Sequence, residues 1–310
     1  MINNREVNFV SAVIYTHNNE CDIEKYLKSI VEVLEENFNK YEIICVDDAS
    51  TDKSVEIIKT YFEKYPQGVV SLINMSYYQG VESAMNAGVD LSIGDFVFEF
   101  DCVNIDYAIE TIMDVYRRSL RGYDIVSACP KDSKRMSSRI FYYLYNKNSF
   151  LDDELRTETF RVLSRRAVNR IKSLNTNNPY RQALYSNCGL KHDKVVYEQL
   201  DTEFEHNKTF EFKYRKELAM DTLMMFTSLP QRISMICGCI FLVISILFLG
   251  VNIFEGFLRE HNIIIMWISV GLSCISLLSF IIIRYLSLLI RLVFFKKEYI
   301  ISSVDKINKF

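Results

Sequence analysis

The stretch YEIICVDDASTDKSVEII, residues 41–58, changes chemical character twice. Its first six residues are rich in β-branched and aromatic side chains, at the length of a strand. DDASTD, residues 47–52, is a polar turn, and the apolar positions Val55 and Ile58 continue to Phe62 and Tyr65 at helical spacing. Strand, polar turn and helix in that order form the repeating unit of an α/β fold. Ser50, Thr51 or Asp52 can cap the helix, and capping is a sufficient role for Asp52. Asp47 and Asp48 end an apolar strand and cannot both be caps, so at least one is left for a ligand.

The same alternation runs outward in both directions. VNFVSAVI (7–14), VVSLI (69–73), DFVFEF (95–100) and DIVSA (124–128) are further strand-length runs, and Ile23, Leu27, Ile30 and Leu34 mark a helix stripe. This predicts a Rossmann-like, doubly wound parallel sheet that binds its ligand at the carboxyl ends of the strands. Three segments should lie there: THNNE (16–20), DDASTD, and Asp101, where the strand in FVFEFDCVNID (96–106) runs into its loop. Two residues past Asp101 stands Val103, which cannot bind an ion, and that poses the question of what a single carboxylate does at such a place.

Charge and composition narrow the partners. A net charge of −3 over 310 residues, with pI near 5.9, gives no general attraction to nucleic acid. The eight cysteines show no zinc spacing and read as reduced thiols of a cytoplasmic chain. No charged-then-apolar leader opens the sequence. Residues 233–252 and 263–283 are two uncharged apolar runs of membrane-crossing length. Arg232 before the first and Arg284, Arg291, Lys296 and Lys297 at or after the second predict a hairpin with both flanks, and so both termini, in the cytoplasm. RIFYYLYNKNSF (139–150) and ELAMDTLMMFTSLP (217–230) read as interfacial segments. The divisions are residues 1–215 as the α/β domain, 216–231 as a juxtamembrane amphipathic helix, 232–293 as a two-span hairpin and 294–310 as a cytosolic tail.

SAVIYTHNNE, YEIICVDDASTDKSVEII and GVESAMNAGVDLSIGDFVFEFD resemble, in order and spacing, the family 2 glycosyltransferases of GT-A fold. SSRIFYYLYNK (137–147), FRVLSRRAV (160–168) and the apolar hairpin resemble the polyprenyl-phosphate glycosyltransferases, the group of dolichyl-phosphate mannose synthase. The resemblance implies a nucleotide-sugar site at Tyr15, His17, Asn19, Asp48 and Asp101, with Asp101 as the first acid of a DxD motif that holds Mg²⁺ or Mn²⁺ on the diphosphate. It implies Arg135, Arg139 and Arg161 as ligands of the acceptor phosphate, with Asp101 and Arg161 as the catalytic pair, and it allows a homo-oligomer packed through the spans. Lys134 and Arg166 read as surface or headgroup contacts.

The sequence departs from that pattern where Val103 replaces the second acid, Ile105 a Gln, Tyr78 an Asn and Thr159 an Asp, and Tyr15 stands in place of Pro. Three roles for Asp101 are therefore open: holding a water-rich ion carried mainly by the diphosphate, orienting the ribose without metal while arginines take the charge, or none, in a dead site. The first two are favoured together. The expected activity is transfer of one sugar from a UDP- or GDP-linked donor to an undecaprenyl-type phosphate at the inner membrane, for cell-envelope glycan. The alternative is a non-catalytic pseudo-glycosyltransferase acting as a membrane scaffold. A processive synthase is disfavoured because no QxxRW motif is present.

Overall fold

A computed structural model describes residues 5–65, 68–131, 136–148, 155–174, 180–186, 188–201, 216–224, 260–294 and 299–308, with single positions between 227 and 236. In chain order the elements are β1 (Val10–Thr16), α1 (Ile23–Asn37), β2 (Tyr41–Asp47), α2 (Ser54–Lys64), β3 (Val69–Met75), α3 (Val81–Leu91), β4 (Phe96–Phe100), α4 (Thr111–Ser119), β5 (Ile125–Pro130), α5 (Met136–Asn148), β6 (Phe160–Ser164), α6 (Arg165–Leu174), α7 (Arg181–Ser186), β7 (His192–Tyr197), α8 (Glu260–Phe294) and β8 (Ile301–Asn308).

The eight strands form one sheet in the order β7-β5-β6-β4-β1-β2-β3-β8. β3-β2-β1-β4 is the parallel, doubly wound part expected from the sequence. The rest makes the sheet mixed: β6 lies antiparallel between β4 and β5, and β8 lies antiparallel along β3. β8 falls within residues that read as a separate tail, because a short strand with alternating polar side chains carries little signal after a long apolar run.

Strands β1 and β2 are buried at every position, as strands covered on both faces must be. Alternation sorts their side chains. Val10, Ala12, Ile14, Ile43, Cys45, Phe98 and Phe100 face α1, α2 and α4, whereas Val13, Ile44, Val46 and Val97 face α3 and α6. Gly88 lets α3 lie close on that second face, since a Cβ there would come within 2.3 Å of Val13 Cγ1.

Residues 233–252, the first apolar run, lie almost wholly outside the described residues. The second falls within α8, a 35-residue helix. Over the described residues, no helix is long and apolar enough to cross a membrane. Arg284 of α8 donates to Asp221 at 2.8 Å, joining this helix to residues 216–224.

Candidate active site

Sheet register brings the three candidate segments to one edge. Thr16 lies opposite Asp47 and Ile14 opposite Phe100, so His17, Asp48 and Asp101 leave the sheet close together. The order turns at β1, with β2 on one side and β4 on the other, and open α/β sheets bind ligands at such a switch point.

The loops after β1 and β2 are stitched to each other. The Asn18 N–H donates to Ser50 Oγ at 2.9 Å, and Asn18 Oδ1 accepts the Thr51 N–H at 2.8 Å. Glu20 and the turn exchange bonds: its N–H reaches Asp52 Oδ2 at 3.0 Å, and its Oε2 accepts the Lys53 N–H at 3.1 Å. Asp52 also accepts the Ser54 N–H at 3.0 Å, so it ties down the start of α2 from one residue before the N-cap position, which is Lys53. Asn19 folds its own loop, with Oδ1 accepting the His17 N–H at 3.0 Å. The His17 ring sits 2.7 Å from the Asp48 carbonyl through Nδ1, which must carry the proton, since a carbonyl can only accept. Its other face meets Tyr78, ring centroids 4.7 Å apart.

The two acids of DDASTD divide the work. Asp48 is fully buried, with Oδ1 accepting the Gln79 N–H at 2.8 Å and Oδ2 accepting the Gly80 N–H at 2.7 Å and the Tyr15 hydroxyl at 3.2 Å. Of the two acids that the sequence leaves between capping and a ligand, Asp48 anchors the turn that starts α3. Burial raises its pKa, and the two backbone donors act against that rise. Asp47 keeps one oxygen on the Ser50 N–H at 3.1 Å, while its buried Oδ1 has no hydrogen-bond partner. Burial pushes its carboxyl up as well. An orphaned carboxylate oxygen at a ligand-binding strand end is an acceptor awaiting a donor, so Asp47 joins the candidate residues.

Asp101 lies at the rim of a buried charge cluster. Glu99, in the middle of β4, is wholly buried and faces the α3 side beside its cross-strand partner Arg161. Arg161 Nη1 reaches Glu99 Oε2 at 3.0 Å and Nη2 reaches Asp101 Oδ2 at 2.8 Å, with Nε 3.1 Å from Glu158 but poorly aligned. Arg181, at the start of α7 and 1 % exposed, donates through Nε to Glu82 at 2.9 Å and through Nη2 to Asp101 Oδ1 at 2.6 Å. Its Nη1 lies 3.0 Å from Glu99. The Tyr185 hydroxyl closes the group on Glu99 Oε1 at 2.7 Å, and the Arg161 guanidinium lies over the Tyr185 ring. Burial pushes the Asp101 carboxyl up, but the two guanidiniums outweigh it and hold the group below its ordinary range. Glu82 is pushed up by burial despite Arg181.

The remaining expected residues are placed as follows. Val103 is 3 % exposed within the core beside Tyr107, and Ile105 packs against the same cluster. Arg161, which the resemblance implies for the acceptor phosphate, is engaged by three carboxylates, so a phosphate would have to displace one. Arg139 is exposed on α5, and Arg135 and Lys134 lie outside the described residues. Arg166 forks onto Asp124, holding α6 to the start of β5. Thr159 is paired with Tyr197. Arg181, Glu82 and Tyr185 went unread in the sequence. The available signal was Glu99, a charge inside FVFEF that burial obliges to find a cationic partner.

The fold and this edge are those of an open α/β protein that takes its ligand at the carboxyl ends of its strands. Glycosyl transferase family 2 matches residues 11–172, and the chain belongs to that family. An uncharacterized glycosyltransferase of Synechocystis is 26 % identical over 79 % of this chain and 80 % of its own length. A prophage bactoprenol glucosyl transferase homolog of Escherichia coli is 29 % identical over 72 % of this chain and 74 % of its own. Among solved structures, a mannosyltransferase of Pyrobaculum calidifontis in complex with GDP-Man and Mn²⁺ shares the fold at TM-score 0.50 and 16 % identity, covering 71 % of this chain and 64 % of that one.

The side chains around Asp101 do not by themselves make a divalent-ion site. Both of its oxygens already receive guanidinium N–H groups, Val103 is committed to the core, and among the described residues no three His, Cys, Asp or Glu side chains form a metal-holding group. The lone carboxylate is an anchor for two arginines.

Proposed function

We propose that the protein transfers one sugar from a UDP- or GDP-linked donor to a polyprenyl phosphate of the undecaprenyl type on the cytoplasmic face of the inner membrane, serving cell-envelope glycan modification. The carrying observation is the convergence of Thr16–Glu20, Asp47–Asp48 and Asp101 at the switch point of a family 2 sheet. The acceptor class is supported by relatives named bactoprenol glucosyl transferase, and by an undecaprenyl-phosphate 4-deoxy-4-formamido-L-arabinose transferase of Edwardsiella ictaluri that is 29 % identical over 47 % of this chain. The scaffold alternative is not favoured, because the relatives are named as sugar transferases and Asp47, Asp48 and Asp101 still stand at the strand ends.

In this proposal the strand-end loops receive the nucleoside, with Asp47 Oδ1 accepting from the base or ribose. The lipid phosphate oxygen attacks the anomeric carbon as the bond to the nucleoside diphosphate breaks. Arg161 and Arg181 both donate to Asp101, so the diphosphate does not meet a bare carboxylate at that strand end. The guanidiniums are set before the reaction and need no reorganisation during it. Arg139, exposed on α5, is assigned to the acceptor phosphate, since a guanidinium suits bidentate phosphate contact.

The hairpin of residues 232–293 carries the domain to the bilayer, with residues 1–231 and 294–310 in the cytoplasm. In support, residues 263–283 contain no charge, and Ile264, Ile268, Ile275, Phe280, Ile282 and Ile283 are more than half exposed on α8. Arg284, at the cytoplasmic end, meets Asp221 rather than lipid.

Membranes containing the protein, incubated with radiolabelled UDP- and GDP-sugars and undecaprenyl phosphate with and without EDTA, test the proposal. Label should pass from one donor into the lipid fraction and persist in EDTA. No lipid-linked label from any donor would refute it.

A further inference from the structure

Residues 299–308 return to the donor end of the site. Tyr299 donates its hydroxyl to Asp90 Oδ2 on α3 at 2.7 Å, and β8 then runs along β3. Between these, Ile300 grips the turn that joins β3 to α3. Its carbonyl accepts the Ser76 N–H at 3.1 Å and Gln79 Nε2 at 2.7 Å, and its N–H donates to Gln79 Oε1 at 2.8 Å. The Gln79 amide thus pairs with the Ile300 backbone as a neighbouring strand would. The Gln79 N–H meanwhile goes to Asp48, the next N–H along, from Gly80, goes to the same carboxylate, and Tyr78 lies on the His17 ring.

Resting on the nucleotide assignment above, we propose that Gln79 is a positioning residue that couples the C-terminal segment to the donor pocket. Docking of residues 299–308 fixes the Gln79 side chain, and the Gln79 backbone fixes the carboxylate of Asp48 and the Tyr78–His17 pair. Donor affinity therefore depends on a segment that follows the apolar helix in sequence. The edge itself is held independently, by the β3–β8 ladder and by Lys59 Nζ on Asp305 at 2.7 Å. Removing the Gln79 amide leaves that hold intact, which separates positioning from simple edge cover.

The test uses full-length protein in lipid nanodiscs, titrated calorimetrically with UDP-glucose and GDP-mannose, with hydrogen exchange read over residues 76–80. Gln79→Met keeps the side-chain length and loses both amide bonds. It should weaken the bound donor about tenfold, the equivalent of one or two net hydrogen bonds, and speed exchange of the Gln79 and Gly80 amides. Lys59→Met, which loosens β8 away from the turn, should leave donor affinity unchanged. Unaltered donor affinity and unaltered exchange in Gln79→Met would overturn the proposal. If the unmodified protein bound neither donor, the nucleotide assignment itself would fail. Exchange would then decide the coupling alone, unaltered rates in Gln79→Met overturning it.

Discussion

Replacing Arg181 by Met removes one of the two cations from the cluster behind Asp101 while keeping much of the side chain's apolar volume. Arg181 is 1 % exposed and lies 2.6–3.0 Å from carboxylate oxygens of Glu82, Glu99 and Asp101. Removing one partner from a buried ion network costs about 3–5 kcal/mol, because the charges left behind cannot be rehydrated. For a domain of this size each kcal/mol lowers Tm by about 2–4 °C, so the expected loss is roughly 6–20 °C. The cost should depend on pH in a definite direction. Burial raises Asp101 and the two arginines more than reverse it, so its folded pKa lies below its unfolded value. Its stabilisation is present above the unfolded pKa, near ~3.9, and is lost as pH falls through the folded one. Without Arg181 that depression shrinks and Glu82, already raised by burial, rises further. The deficit of the variant should therefore be largest near neutrality and narrow as pH approaches about 4. Thermal unfolding of the full-length protein, followed by circular dichroism across that range, measures both effects. Asp101→Asn should couple to Arg181→Met by at least about 0.5 kcal/mol in the double variant. A Tm within about 2 °C of the parent, or strict additivity of the two changes, would show that the cluster is not a cooperative unit.

Asp48→Ala should cost about 2–4 kcal/mol, because two backbone N–H groups and the Tyr15 hydroxyl lose their acceptor, and denaturant unfolding should register this alongside any loss of donor binding. Val103→Asp should not build a metal clamp: it buries a carboxylate in the core, so a fall of about 3 kcal/mol or more is expected, and calorimetry showing tighter Mg²⁺ binding in a stable variant would contradict this. Asp47→Asn should weaken nucleotide binding with little change in Tm, since the affected oxygen has no partner to lose; equal affinity would remove Asp47 from the site. A cysteine placed at Gly256 should resist labelling from the cytoplasmic side, and labelling only from that side would rule out the hairpin.

The parallel half of the fold was legible because its strands, such as YEIICV, are covered on both faces and must be continuously apolar, and the helices between them carry one stripe each. β6, β7 and β8 were not read as strands. β7 mixes His192, Asp193 and Lys194 with apolar residues at the sheet edge, and β8 is paired on one side. The strand-end position of Asp101 could be read from its neighbours in sequence, but its partners could not. Arg161 and Arg181 lie 60 and 80 residues away and reach it through β6 and α7. For Asp48 the sequence reading lacked the turn at Gln79–Gly80, whose backbone donors carry no residue-type signature. The bare oxygen on Asp47 is visible only once every other donor has been placed.

The pairing of β8 with β3 has a consequence for how the protein is made. Asn74 and Ser303 touch across 229 positions of sequence, so the outer edge of β3 stays bare while everything between them leaves the ribosome. Domains form in order of synthesis, and β1 to β7 can assemble long before residue 301 emerges. During that interval the nascent chain presents an unpaired strand edge beside an apolar helix that has yet to find its place, and bare edges recruit other strands. Correct biogenesis should therefore require that the apolar helix be settled before the sheet closes. A chain halted after α8 should retain its parallel core and accumulate as aggregates or as a chaperone-bound intermediate.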